Sequence, residues 1–314
     1  MQAGDRALQE FVFRKKPKQP FRLDFTAWAL RRLPQNMIDR FQDQEYRRVL
    51  IFENRLVEVS VSQPGLKEPL RVCVMGENIL SNHVESTITV LLERILGLGT
   101  DLTHFYRLFG ADSKISNLIE EFKGVKPPRF PTVFEALVNA FTCQQVSLNV
   151  GLLLLNRLAV NYGSTMLVEG RRVYGFPDPQ RLAELDVQDL RKVGFSSRKA
   201  EYIIETAKLV SKQKIDPESI AEMDQSEAIK FLRQIRGIGP WTAQYALLRG
   251  AGRLDVFPAN DVGGQNGLRN LLGLRRKLDS DAVNRLISKW EPYAGMLYFH
   301  LLLRKIQKKG YMNQ

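Results

Sequence analysis

Cysteine is nearly absent from this chain. Only Cys73 and Cys143 occur in 314 residues, far apart and in apolar surroundings. That excludes a disulfide framework, a thiolate zinc site and an iron–sulfur cluster. Histidine is as scarce: His83, His104 and His300 are scattered without metal-ligand spacing, so each is expected to be structural rather than a ligand. No apolar run reaches the roughly 18 residues that a membrane-spanning helix needs, and LLLLNRLAV near residue 152 reads as a buried helix. The N-terminal stretch MQAGDRALQEFVFRKKPKQPF lacks the apolar core of a signal peptide. A serine nucleophile elbow, a phosphate-binding Walker loop and a dinucleotide fingerprint are also missing. An acidic surplus is missing too: 46 Lys and Arg face 34 Asp and Glu, a net charge of +12. A basic chain with no membrane signature has nucleic acid as its leading polyanionic partner. A cytoplasmic location is expected, at the nucleoid in a prokaryote and in the nucleus of a eukaryote.

What is present organises the chain. A hydrophobic fraction of 44% is ample for a packed core, and the length suggests two or three domains. The run RKKPK places a basic tail over residues 1–20, either solvated or touching a polyanion. Residues 46–62 alternate at Val57, Val59 and Val61 and break at ENR, as a β-hairpin would. LRVCVMG (70–76) is a third strand candidate and FRLDF (21–25) a fourth. Ser81 is then expected to cap a helix carrying Val84, Ile88, Leu91, Leu92 and Ile95, closed by Gly97. Residues 21–105 are therefore expected to form a small α+β domain with an antiparallel sheet. Residues 106–314 read as almost wholly helical with short turns. No period of 20 to 50 residues stands out, so a solenoid is not expected.

One segment concentrates special backbone residues. IRGIGPWTAQYALL (235–248) sets Gly237, Gly239 and Pro240 between two helical faces. Upstream, Asp224 and Glu227 fit a capping box, followed by Ile229, Leu232 and Ile235 at helical spacing. Two near-adjacent glycines favour positive φ and a sharp reversal, and Pro240 suits the first turn of a new helix. A helix–hairpin–helix built this way bares backbone N–H groups at a helix start, a nest for phosphate. By itself the pattern fits an ordinary corner better than a phosphate site, and the context decides. Beyond it, Asp261 follows PAN and precedes Val262–Gly263–Gly264, a natural N-cap. It lies 261 − 241 = 20 residues past Trp241, far enough for one helix and a return loop to bring it to the hairpin's open side. Asp255 in LDVFP reads equally as a structural acid.

Together, LRQIRGIGPWTAQYALL and DVFPANDVG resemble the helix-hairpin-helix, Gly/Pro-rich loop and Asp signature of the base-excision DNA glycosylase superfamily. The nearest resemblance is to its alkylpurine branch, 3-methyladenine DNA glycosylase II. FPTVFEALVNAFTCQQVS, FPDPQRLAELD with LRKVGFSSRKAEYI, and WEPYAGMLYFHLLL resemble further parts of that family, so residues 21–310 are covered. The resemblance implies an α+β, mainly α fold: a small N-terminal sheet domain, then a two-lobed helical domain. It implies that Gly237, Ile238 and Gly239 grip DNA phosphates through backbone amides, with Thr242 and Gln145 also at the DNA. A monovalent cation on the backbone carbonyls of Arg233, Ile235 and Gly237 is implied, with no catalytic metal and no cofactor. Asp261 would be the catalytic acid residue, and Trp241 and Tyr245 would line the pocket for the flipped base. Trp241 stands where the strand-cutting branch carries a Schiff-base lysine, so a monofunctional enzyme leaving an abasic site is expected. Its partner would be double-stranded DNA containing damaged bases, bound by a monomer away from any membrane. Two departures stand out: Gln145 where some relatives have an apolar wedge, and Ala294–Gly295 where relatives often have Arg and Ser. An oxidised-base glycosylase and a non-catalytic helix-hairpin-helix module are the alternatives. The missing lysine and cysteines count against the first, and a pure phosphate-binding module needs neither Asp261 nor Trp241.

Overall fold

The computed structural model describes residues 8–79 and 83–313. Strands β1 (Gln9–Lys15), β2 (Arg40–Gln42), β3 (Glu45–Phe52), β4 (Arg55–Ser62) and β5 (Leu70–Gly76) form one antiparallel sheet in the order β1-β5-β4-β3-β2. The β3–β4 hairpin turns at Glu53 and Asn54, both in the left-handed region with φ of 47° and 60°, as a two-residue turn that preserves strand twist demands. Val57, Val59 and Val61 are fully buried, with Val59 opposite Val74 and Val61 opposite Val72. The sheet unit thus follows the alternation of its sequence.

Two expectations change here. Gln9–Lys15 lie within the stretch read as a basic tail, yet they pair along their whole length with β5. Their basic side chains mask an alternation that buries Phe13 and exposes Val12. Residues 21–25, expected as a strand, instead open helix α1 (Leu23–Arg31). Leu23, Ala27, Trp28 and Leu30 are all but inaccessible there, and such burial overrides local propensity. The cap expected at Ser81 lies outside the described residues. Helix α2 (Val84–Leu96) follows and ends at Gly97 with φ +62°.

The remaining helices are α3 (Thr103–Gly110), α4 (Ser116–Glu121), α5 (Val133–Cys143), α6 (Leu148–Tyr162), α7 (Pro179–Ala183), α8 (Val187–Lys192), α9 (Ser197–Ser211), α10 (Gln225–Arg233), α11 (Pro240–Ala246), α12 (Val262–Leu271), α13 (Ser280–Ile287) and α14 (Ala294–Lys308). A short hairpin of β6 (Thr165–Val168) and β7 (Arg171–Tyr174) interrupts this helical run; nothing in the sequence reading foresaw it. Among the described residues no helix is long and apolar enough to cross a membrane.

Buried side chains gather into two large clusters. One joins the sheet and α1–α4 to α12–α14, through residues such as Trp28, Phe105, Leu268, Trp290 and Phe299. The other holds α5–α11 together around Leu137, Leu158, Ile203, Leu232 and Ala246. The C-terminal helices therefore pack back on the N-terminal unit, and a groove runs where the clusters meet. Gly295 explains one departure from the family pattern. A Cβ there would lie 2.7 Å from a Leu248 methyl and 2.8 Å from the Val256 carbonyl, so serine does not fit. Its N–H donates to Leu254 O at 2.7 Å.

Candidate active site and DNA-binding surface

Helix α10 begins as expected: Asp224 and Glu227 form a reciprocal capping box. After it the chain reverses at Gly237, the one hairpin glycine with positive φ (+90°). A side chain there would also collide with the Tyr202 ring, 2.4 Å from the Cβ position. Gly239 differs from the expectation. Its backbone is extended (φ −90°, ψ −179°) and it is the N-cap of α11, with Pro240 in the first turn. Nothing lies within 4 Å of the point where its Cβ would sit, so no side chain or neighbour crowds this turn. The N–H groups of Gly239, Trp241 and Thr242 have no backbone acceptor among the described residues, the usual state of a helix start. Ile238 is different: its side chain is buried and its N–H donates to Ile235 O at 3.2 Å. Its amide is therefore spent inside the turn. Thr242 is buried as well, and its hydroxyl accepts from Gln144 Nε2 at 2.7 Å; only its amide can reach a ligand. Gln144 also donates to Gly237 O at 3.0 Å and so ties the α5–α6 loop to the hairpin. Ile235 O accepts one bond, and Arg233 O accepts none from the backbone beyond its helix. With Gly237 O they keep lone pairs that fit a monovalent cation.

The α5–α6 loop carries Gln145, exposed and held at φ +53°. A left-handed glutamine at a loop tip is a backbone cost of the kind that clusters at functional sites. Ser147 behind it caps α6 by accepting from Val150 N, and Val146 beside it is exposed.

Asp261 closes the other side. It caps α12, with Oδ1 accepting from Gly264 N at 2.6 Å. Its second oxygen accepts from Trp241 Nε1 at 3.1 Å. Both the N-cap and the approach to the hairpin are therefore realised in one carboxylate. Trp241 in turn stacks on Tyr245, with ring centroids 5.2 Å apart and planes inclined by 29°. Asp255, by contrast, is held by a two-pronged bond from Arg253 at 2.9 and 3.1 Å and is not among the groove's lining residues.

These groups line a cleft of about 1130 Å³, which also takes in Gln145, Lys199, Lys305 and Lys309. Its floor holds residues that the sequence reading did not single out: Arg32, Arg249 and Tyr298. Tyr298 was within reach, because Tyr298, Leu301, Leu302 and Lys305 follow helical spacing along α14, with Lys309 just past its end, and all face the cleft. Arg32 gave no signal, since it meets its partner 213 positions away, donating from Nη1 to Tyr245 Oη at 3.2 Å. Burial pushes the Tyr245 phenol up, and pushes Tyr298 well above the ordinary tyrosine range with help from the Asp261 charge. Both phenols stay neutral at pH 7. No cluster of three His, Cys, Asp or Glu that would hold a metal exists among the described residues. The arrangement offers bare amides for an anion, an aromatic tier for a flat ligand and one carboxylate against that tier.

Comparison with known proteins concerns the chain as a whole. Residues 138–292 match the family model of the HhH-GPD superfamily base excision DNA repair proteins. A Bacillus subtilis DNA-3-methyladenine glycosylase is 31% identical over 204 residues, spanning 65% of this chain and 67% of that protein. Among solved structures, the 3-methyladenine DNA-glycosylase from Archaeoglobus fulgidus is similar at a TM-score of 0.81 and 26% identity, over 93% of this chain and 98% of that one. The Schizosaccharomyces pombe 3-methyladenine DNA glycosylase in complex with abasic DNA is similar at a TM-score of 0.55 and 25% identity, over 64% of this chain and 95% of that one.

Proposed function

The chain belongs to the HhH-GPD superfamily of base excision DNA repair proteins, and from that premise we propose how its cleft works. The protein is a DNA glycosylase that extrudes damaged, alkylated purines and hydrolyses their N-glycosidic bond, leaving an abasic site. The observation that carries the assignment of roles is the bond between Trp241 and Asp261, which sets a carboxylate at the edge of an aromatic stack.

A base inside the duplex is out of reach, so it is flipped out at a cost of a few kcal/mol, less for a damaged or mispaired base. The Trp241–Tyr245 tier receives it by stacking. Gln145, with Val146 beside it, fills the gap left in the helix. The free amides of Gly239, Trp241 and Thr242 bind backbone phosphate at the start of α11, and Lys199, Lys305 and Lys309 add charge along the cleft. A monovalent cation on the carbonyls of Arg233, Ile235 and Gly237 would add positive charge beside that phosphate. The C1′–N bond then opens toward an oxocarbenium-like sugar. Asp261 faces that charge and stabilises it, while water adds to C1′. The indole N–H holds the carboxylate in place and the cap bond from Gly264 fixes its rotation.

Trp241 supplies no amine, so the sugar forms no imine with the hairpin and the strand stays intact. Incubation with duplexes carrying alkylated purines tests this directly. Strands should break only after alkali or heat, and borohydride should trap no protein–DNA adduct. Efficient trapping would make one of the cleft lysines a nucleophile and overturn the hydrolytic route. Absence of excision on every alkylated purine would favour a purely DNA-binding module.

A further inference from the structure

Helix α1 runs out into two consecutive arginines with different tasks. Arg31 is taken up by backbone: its guanidinium donates to the carbonyls of Leu33, Pro34 and Phe41 and lies 4.8 Å from the Trp28 ring centre. Arg32 leaves the helix at φ +65° and ψ −35°, a place where glycine is usual because a Cβ is strained there. Among the described residues nine other than glycine have positive φ; eight are exposed, and Arg32 is the buried one. Strained backbone persists only where its surroundings over-determine it, and here the side chain does so. Arg32 Nη2 donates to Asn139 Oδ1 on α5 at 2.8 Å, and Nη1 donates to the Tyr245 hydroxyl on α11 at 3.2 Å. The guanidinium lies 5.8 Å from the Phe130 ring centre. Asn139 Nδ2 donates to Glu135 O at 3.2 Å, which leaves its oxygen turned to Arg32. No second bond to the Tyr245 hydroxyl occurs among the described residues.

We propose that Arg32 is a positioning residue for base excision: its guanidinium braces the Tyr245 ring from α1 and α5, and through that ring sets Trp241 and the Asp261 carboxylate. This rests on the active-site reading above. The chain of contacts is continuous. Tyr245 is 5% exposed, its ring stacks on Trp241 at 5.2 Å, and Trp241 Nε1 donates to Asp261 Oδ2 at 3.1 Å. Trp241 and Tyr245 stand four residues apart on α11 and share a face. A ring torsion has broad wells of its own, so the tier needs an outside fixture, and a hydroxyl tied to a rigid guanidinium supplies one. The fork matters as much as the charge. Two N–H groups in one plane serve Asn139 and Tyr245 together, a geometry that a lysine ammonium does not reproduce. Arg32 therefore acts on the rate through geometry, where a misplacement of about 1 Å costs about a hundredfold.

The test is single-turnover excision of an alkylated purine by the full chain, measured beside thermal melting and affinity for abasic-site DNA. Arg32→Gly relieves the backbone and removes the guanidinium. Excision should slow by about ten- to a hundredfold, while the melting temperature stays close to that of the wild type, because glycine takes positive φ freely. Abasic-site affinity should stay within about twofold, since the phosphate contacts are untouched. Tyr245→Phe, which removes the hydroxyl, should slow excision by a similar factor. The double variant should be no slower than the slower single one, because the two residues act as one unit. Effects that multiply in the double variant would make Arg32 independent of Tyr245 and overturn the proposal. Wild-type excision by folded Arg32→Gly, at whatever melting temperature, overturns it too. If Arg32→Gly does not fold, the same cycle built with Arg32→Lys, which keeps the charge and loses the fork, decides in the same way. A wild-type protein inert on every alkylated purine would instead overturn the glycosylase reading on which the proposal rests.

Discussion

Two buried arginines are treated in opposite ways. Arg48, on β3, is 1% exposed and sits between Asp39 and Glu135, with the Tyr46 hydroxyl on the same Asp39. That cluster bonds the sheet to α5 and leaves no opening to solvent. Arg249, equally buried, has no carboxylate and two idle nitrogens where Arg48 has only its Nε, and it borders the cleft. Burial holds its guanidinium below the usual arginine range, whereas the two carboxylates hold Arg48 well above it against the same burial. A buried charge that is matched does architectural work. A buried charge left unmatched beside a cavity is a cost that folding alone does not explain.

The comparison is broken most forcefully at Arg48. Arg48→Met should strand Asp39 and Glu135 without their partner and cost about 3 to 5 kcal/mol of stability, read as a large drop in melting temperature. Excision by whatever fraction folds should be near normal, because Arg48 is not among the cleft's lining residues.

His300 sharpens the contrast by offering a third solution, neutrality. It is fully buried, its Nδ1 lies 2.8 Å from Met296 O, and burial pushes its imidazole down to about 4. An unfolded histidine titrates near 6.5. Between these values the unfolded chain binds a proton that the folded chain refuses, so stability is intact above about pH 6.5 and falls as pH drops toward 4. The loss should approach about 3 kcal/mol at pH 4. Denaturant melts across that range should show the acid limb flattened by one proton in His300→Leu.

On the cleft side, a change should act on binding and leave stability alone. Gly239→Asp meets no atom within 4 Å and places a negative charge in the amide nest. Affinity for abasic-site DNA should weaken by about 1 to 3 kcal/mol, the scale of a lost charge-assisted hydrogen bond, with an unchanged melting temperature. Unchanged affinity would remove the hairpin from the DNA-binding surface.

What the sequence made legible follows the same division. The hairpin is written locally, in the capping box at Asp224, the glycine at positive φ and the proline one residue past Gly239. The β3–β4 turn is local too. The Trp241–Asp261 contact could be anticipated because one helix and one loop separate the two residues. Strand β1 was hidden by its own Arg14 and Lys15 and the basic run that follows, and α1 by the lack of any cap, since Arg22 makes no side-chain capping bond. The second hairpin glycine was misjudged: only Gly237 needs positive φ, and Gly239 serves by being bare. Ile238 and Thr242 stand in the motif, yet their side chains turn into the core, which motif position alone does not reveal. The cleft floor was illegible for a plainer reason. Arg32 and Arg249 acquire meaning only when distant segments meet: Arg32 at the Tyr245 hydroxyl, 213 positions away, and Arg249 at Ala29 O, 220 positions away.

The central claim is that Asp261 works on charge and is more than a helix cap, and single-turnover excision by Asp261→Asn tests it most directly. The substitution keeps shape and removes charge, so the rate on an alkylated purine should fall about a hundred- to a thousandfold. Stability should change by about 1 kcal/mol at most, since asparagine caps nearly as well, and abasic-DNA affinity should hold or improve. Asp255→Asn, which disturbs only the Arg253 pair, should leave the rate intact. A near wild-type rate for Asp261→Asn on a labile and a stable lesion alike would reduce Asp261 to a cap and leave this cleft without its catalyst.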